Sequence, residues 1–326
     1  MTRRASSVAG RTFPWEGLDQ ERRNALLLYG AIGVVLVIAA GLIAWGYYKD
    51  KVAPRHETVL VVGDRKFDVA FLERRVRANV RIGNLGANAT IQNIVVSALQ
   101  AIELEEELRQ TAKLRGMTVT DADIDNEVRV RLGLPDGVAR NVFAVGYRSE
   151  VLKTGLPVNE YREIIAAQII QDRLTKEFEA AAPDQAEQVD AQIIKTKDEA
   201  TIKDAKQRLD RGDKFNLTAA SLSIDNSKDQ GGELGWVTQA ELTPKAGEAL
   251  FSLPLGQVSD PIQDYDGWYI VLARDKQTRD VDAAQKQRIA AKTLDNTLQQ
   301  TRVKVGSSNK ITDQQILDIG TKALKG

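Results

Sequence analysis

Residues 25–48 read ALLLYGAIGVVLVIAAGLIAWGYY, an apolar run without one charged side chain. Coiled as a helix, a run of this length crosses the roughly 30 Å hydrocarbon layer of a bilayer. Beyond it the hydrophobic positions recur with short periods. TVLVV at 58–62, followed by Gly63-Asp64, reads as a brief strand entering a turn. Ile91, Val95, Leu99 and Ile102 fall on one helical face, while Glu103, Glu105, Glu106, Glu107 and Arg109 mostly cover the other. This predicts an amphipathic helix with a solvated acidic side, closed by Gly116. Thr120 then caps a helix running through Ile124 and Val128. Residues 157–178 form a further long helix, with Ile165, Ile169 and Phe178 available for burial.

The pattern changes after AAAP at 180–183. VDAQIIK at 189–195 alternates as a strand does, and TKDE at 196–199 reads as a capping box in which Thr196 and Glu199 satisfy each other's free amides. A helix follows, with Ile202, Ala205 and Leu209 inward and Gly212 at its end. Residues 215–222 form a second, shorter helix. Gly231, Gly232 and Gly235 then allow a backbone path with positive φ. FSLPLGQV at 251–258 gives a helix end and a turn, and 267–274 the closing strand. Strand, helix, helix, strand, helix, strand is the order of a small α+β domain of about one hundred residues. ITDQQILDIGTKAL at 311–324 adds one more amphipathic helix, whose packing partner the pattern does not name.

A chain of 326 residues has room for about two domains. Lysine plus arginine equals aspartate plus glutamate at 45 each, so no overall field draws in nucleic acid, which is not expected as a partner. There is no cysteine, hence no thiolate nucleophile and no disulfide, and His56 is the single histidine. Acid–base or metal schemes built on paired histidines are therefore excluded. The acidic run at 103–107 is no metal site, because consecutive carboxylates point around a helix rather than converge. Gly231-Gly232 lacks the following lysine of a phosphate loop, so neither metal nor cofactor is expected. Around the apolar run, Arg3, Arg4, Arg11, Arg22 and Arg23 precede it, against Lys49, Lys51 and Arg55 after it, with Trp45, Tyr47 and Tyr48 at its exit. That bias places the N-terminus in the cytoplasm and the bulk of the chain outside it. A cleaved signal peptide ending near Ala39-Ala40-Gly41 is the competing reading, but the run exceeds a signal core in length.

Three stretches carry a resemblance. GGELGW at 231–236, ALFSLPLGQVSDPI at 249–262 and DGWYIVLARD at 266–275 resemble, in order, the late motifs of parvulin-type peptidyl-prolyl isomerases, over about residues 186–277. The helical segment before this region and a helix from about Asp282 to Val303 after it resemble the SurA, PrsA and PpiD foldases. The expected fold is α+β: an N-terminal transmembrane helix, then a mainly helical SurA/PrsA-like chaperone domain interrupted by a parvulin-like domain. The boundaries are a cytoplasmic tail 1–24, an anchor 25–48, a linker 49–57, helical residues 58–182, the parvulin-like unit 186–277, and C-terminal helices 281–326 packing back on the helical part.

Rotation about an X–Pro bond is slow because amide resonance must be lost. A catalyst helps by gripping proline in an apolar pocket that excludes water. The resemblance implies two facing histidines, an acidic or thiol group between them, and a pocket of methionine or leucine with phenylalanine. In this sequence the histidine positions hold Gln192 and Tyr269, and the middle position holds Asp225. Leu242 and Ala246 fall at the pocket positions, with Phe251 retained and Trp268 beside Tyr269 as further peptide contacts. The implied function is a membrane-anchored extracytoplasmic foldase that binds unfolded or proline-containing segments of newly translocated polypeptides, with isomerase activity weak or lost. Its partners would be those polypeptides, the lipid bilayer through residues 25–48, and the secretion machinery. Two alternatives stay open: an active isomerase with a histidine-free site, and a non-catalytic interaction subunit of a secretion or envelope complex.

Overall fold

The computed structural model describes residues 20–83 and 90–325, so Arg3, Arg4 and Arg11 of the predicted tail lie outside the described residues. The chain divides into two units, 1–57 and 58–326. In the first, helix α1 (Gln20–Tyr47) leads into a wide turn over Tyr48–Val52 and a tight one over Ala53–His56. Its apolar side chains, among them Leu27, Val37 and Ile43, are exposed, and the Lys49 ammonium lies 5.4 Å from the centre of the Trp45 ring. Among the described residues this is the one helix long and apolar enough to cross a membrane.

The second unit begins with a hairpin of β1 (Thr58–Val62) and β2 (Arg65–Asp68), turned by Gly63. Asp68 accepts a 2.8 Å hydrogen bond from Phe71 N and so starts α2 (Val69–Arg81), whose Val69, Leu72 and Val76 are buried at helical spacing. Helix α3 (Ile91–Leu114) is capped by Thr90 and stops before Gly116, at φ +68. Helix α4 (Asp121–Arg131) carries a capping box in which Thr120 and Asp123 bond each other's backbone amides. Helix α5 (Arg140–Thr154) ends at Gly155 in the left-handed conformation, and α6 (Val158–Ala181) follows Pro157.

The sheet of the α+β region has strand order β4–β3–β6–β5, every pair antiparallel. Its elements are β3 (Gln185–Thr196), α7 (Glu199–Asp210), α8 (Phe215–Leu222), β4 (Glu233–Val237), α9 (Pro244–Ser252), β5 (Ile262–Asp264) and β6 (Gly267–Asp280). Ile194 and Ile270 bury one sheet face against Ile202, Ala205, Phe215 and Ala219 of α7 and α8. Val189, Ala191, Ile193 and Val271 bury the other against Ala246 and Leu250 of α9. The expected box at Thr196 does not form. Thr196 stays in β3 opposite Trp268, and Asp198 caps α7 by accepting from Thr201 N at 2.8 Å.

The chain leaves the helices at Asp184 and returns at Val281, where Val281 N donates to Asp184 O at 2.8 Å. Helix α10 (Ala283–Val305) then packs on α3 and α6, joining Leu294 and Leu298 to Leu108, Ala167 and Leu174. Strand β7 (Ser307–Asn309) adds to β1, and α11 (Asp313–Lys325) settles on α2 and α3 through Ile316, Ile319 and Ala323. Gly320 makes that approach possible, since a Cβ there would stand 2.2 Å from Ile91 Cγ2. The partner missing from the sequence reading is therefore the α2–α3 pair.

The solvated acidic face expected on α3 is corrected by the structure. Glu106 and Glu107 are each only 2% exposed, because α3 is covered from several sides. The carboxylates diverge, each toward its own partner: Glu105 to Arg75 of α2, Glu106 to Arg65 and Arg109, Glu107 to Arg302 of α10, and Glu103 to the Ser307 hydroxyl of β7.

Burial raises the carboxyl pKa of Glu105 and of Glu107 above 4.5, outweighing the opposing pull of Arg75 and Arg302. A raised carboxyl binds its proton more tightly in the folded chain, so its contribution to stability grows as pH falls toward 4.5 and is smallest above the folded pKa. Between about pH 7 and about pH 5 the melting temperature of the wild type should rise relative to Glu105→Gln/Glu107→Gln, measured by circular dichroism. Parallel curves would refute burial as the controlling influence.

Candidate functional site

The alternation of β6 sends neighbouring side chains to opposite sheet faces. Tyr269 joins the α9 layer with Leu242, Ala246 and Leu250, and Phe251 borders it, half-buried. Trp268 packs in the α7–α8 layer instead, so it does not share a wall with Tyr269. Gln192 is opposite Leu272 in register, and Leu272 also belongs to the α7–α8 layer. Cross-strand partners point the same way, so Gln192 and Tyr269 lie on different faces and do not form a facing pair.

Each polar group called from the sequence is engaged locally. Gln192 Nε2 donates to Glu233 Oε1 at 2.8 Å and to Gly231 O at 3.3 Å. Glu233 in turn accepts from Arg274, which also holds Asp190 at 2.6 Å. Asp225 Oδ1 accepts from both Ser227 N (2.9 Å) and Ser227 Oγ (2.6 Å), a turn closed by its own side chain. The glycines beside Gln192 are packing requirements. A Cβ on Gly232 would stand 2.4 Å from Ile193 O, and one on Gly231 would stand 2.6 Å from Asn216 Cβ.

The strongest polar cluster was not called from the sequence. Tyr269 donates its phenol proton to Asp266 Oδ1 at 2.5 Å, and Lys195 Nζ donates to Asp266 Oδ2 at 2.7 Å. The same ammonium lies 5.3 Å from the centre of the Tyr269 ring. Burial, then the Asp266 carboxylate, push the phenol pKa far up, so Tyr269 stays protonated and a donor. For Asp266 burial works against ionisation, but the hydrogen bonds from Lys195 and Tyr269 outweigh it and hold the carboxyl below 3.8. Only part of the signal was present in the sequence: Asp266 opens the turn just before Tyr269, whereas Lys195 becomes its neighbour only through the strand register.

The apolar positions are closed to a ligand as they stand. Tyr269 is 4% exposed, Leu242 8% and Ala246 0%. A large ring at 269 and a methyl group at 246 share one packed layer. Nearby, Tyr265 donates to Asp295 and accepts from Lys292 of α10, and Asn296 Nδ2 donates to Leu242 O at 3.3 Å. The loop carrying Leu242 is thus tied to the helix that packs on α6.

Comparison with known proteins agrees with the motifs. Residues 165–275 match the family model described as Rotamase: PPIC-type PPIASE domain, a span that begins within α6. The chain is 37% identical to Chaperone SurA of Chromobacterium violaceum over 115 residues, covering 32% of this chain and 27% of that protein. It is 29% identical to Foldase protein PrsA of Caldanaerobacter subterraneus subsp. tengcongensis over 176 residues, covering 54% of this chain and 55% of the relative. The matches thus span between about a quarter and about half of those curated relatives. Among solved structures, PrsA from Bacillus anthracis aligns over 69% of this chain and 95% of its own, at 20% identity and a TM-score of 0.37. The parvulin domain of PpiD from E. coli aligns over 28% of this chain and 91% of its own, at 31% identity and a TM-score of 0.26.

Removing the phenol with Tyr269→Phe should cost about 1–2 kcal/mol in urea denaturation, because a buried carboxylate bond is lost. Asp266→Asn should cost a similar amount, and the double variant less than the sum by roughly 1 kcal/mol. Strict additivity would mean that the two groups do not depend on each other. With motifs and family match in agreement, this chain contains a parvulin domain of the PPIC-type rotamase family within the matched residues 165–275, and it is similar to SurA chaperones and PrsA foldases.

Proposed function

We propose that this protein is a membrane-anchored extracytoplasmic foldase that holds unfolded segments of translocated polypeptides and has weak or no prolyl isomerase activity. The observation that carries the loss of catalysis is the filled shelf, with Tyr269 buried against Ala246 and locked by Asp266. A proline ring can enter only if that lock opens. Neither Gln192 nor Asp225 supplies a free polar group in its place, since both are bonded to neighbours.

In this reading the parvulin domain, about 186–277, is an insertion in a helical chaperone domain made of residues 58–182 and 281–326. Its support is the junction at Asp184 and Val281, together with the packing of α10 on α3 and α6. Matched ends of this kind let one fold be inserted into another without disturbing either. Residues 25–48 serve as anchor, with 1–24 in the cytoplasm and 49–57 as linker. The exposed apolar surface of α1 and the Trp45–Lys49 pair at its end favour that role. Anchoring would concentrate the helical surface where clients emerge, and the secretion machinery is the natural neighbour there.

The test uses the full chain in nonionic detergent. Magnetisation-exchange NMR on a proline tetrapeptide should show no faster cis/trans exchange, while aggregation of an unrelated unfolded protein is suppressed. Acceleration that disappears in Tyr269→Ala would overturn the catalytic half of the proposal. Failure to suppress aggregation would overturn the holding half.

A further inference from the structure

Helices α4, α5 and α6 enclose a cleft of about 1200 Å³, far from the parvulin sheet in sequence. Phe143, Tyr147, Val151 and Leu156 give it apolar walls, and Leu152, 69% exposed, extends them outward. The rings are stacked in place: Phe143 and Tyr147 have centres 5.7 Å apart, and Tyr147 meets Tyr161 edge-on at 5.9 Å. Such a preformed apolar wall is suited to bulky side chains of a disordered segment.

The charge around this cleft is one-sided. Arg129, Arg140, Arg148 and Arg162 line it, against Asp125 alone. Asp121 and Asp125 meet the charge of Arg162, and Asp136 meets that of Arg129. Arg140 and Arg148 are exposed and, among the described residues, make no ion pair. Arg129 Nε is buried and has no acceptor. Two uncompensated guanidinium groups and an orphan donor beside an apolar wall ask for carboxylates.

We propose that this cleft binds client segments in the extended conformation that carry two acidic residues four positions apart with a large apolar residue midway between them. Arg140 and Arg148 are eight residues apart on α5, about 12 Å along its axis. In an extended peptide, residues i and i+4 are separated by about 13 Å and point the same way as i+2. Carboxylates at the two ends can therefore meet both arginines, and the middle side chain falls over Ala144, where a methyl group leaves room. A second copy of this chain fits poorly, because its own cleft would bring arginines against arginines. The inference rests on the foldase reading and names the class of client its helical part selects.

The test measures fluorescence anisotropy of a labelled ten-residue peptide with Glu at i and i+4 around Leu at i+2, and of its Gln counterpart, against the full chain in nonionic detergent. The acidic peptide should bind roughly three- to ten-fold tighter at low salt, and the preference should fade as sodium chloride is added. Arg140→Ser/Arg148→Ser should abolish the preference and leave the Gln peptide unaffected. Arg140→Glu/Arg148→Glu should transfer it to a Lys peptide. Equal affinities in the wild type, no binding of either peptide, or a preference surviving in the serine variant would overturn the assignment. If that happens while aggregation of a neutral client is still suppressed, the cleft assignment alone fails. If suppression is absent in the wild type, the foldase reading itself fails.

Discussion

Helix α3 has to be covered on more sides than one amphipathic face provides, and the second unit is organised around meeting that demand. Its apolar residues Ile94, Val95, Ala98, Leu99 and Ile102 meet β1, α2 and α11, while Leu108 and Ala112 meet α6 and α10. Its acidic residues lie between these contacts, and a buried carboxylate without a cation is far costlier than one with a partner. Besides Arg109 of α3 itself, the partners arrive from separate stretches of chain: Arg65 and Arg75 from before the helix, Arg302 and Ser307 from near the C-terminal end. Segments on both sides of the parvulin sheet must therefore reach the same helix.

That requirement bears on the parvulin sheet as well. Its first and last strands pair along their full length, from Gln185 with Asp280 to Thr196 with Trp268, so the chain exits where it entered. The sheet can bring its own core, and α10 can still find α3 and α6. Glu241 and Leu242 face α10 through Gln285, Arg288 and Asn296, and Tyr265 through Lys292 and Asp295, so much of the contact between the two parts is polar. Contacts of this type fix an orientation more than they add stability.

Within the parvulin sheet, the substitutions at the resembling positions are mutually consistent. A large side chain at 269 goes with a small one at 246, keeping the layer packed. The phenol then needs an acceptor in a half-dry setting, and Asp266, held by Lys195, provides one. Position 192 is satisfied separately on the opposite face by Glu233 and the Gly231 carbonyl. These polar groups serve the fold, which is why the binding proposals rest on the helical part.

Much of the architecture was legible along the chain because its causes are local. The helix at 215–222, the cap at Thr120, the left-handed glycines at 231, 232 and 235, and the element order of the α+β region apart from the short strand β5 followed from period, capping chemistry and φ. Helix α2 was missed although Asp68, Val69, Leu72 and Val76 carry the pattern. Helix α5 offered little, with Val151 its one fully buried residue. The cap at Thr196 was misplaced because its pairing with Trp268, seventy-two residues on, keeps it in the strand. The sequence by itself determined the apolar run at 25–48, the periodicities and the residue types at the parvulin positions, since each depends on neighbours within a turn or two. Tertiary structure alone decided which acidic residues of α3 are buried, that Gln192 and Tyr269 face apart, and which arginines are left without partners. Burial, sheet face and ion pairing depend on residues brought together from distant parts of the chain.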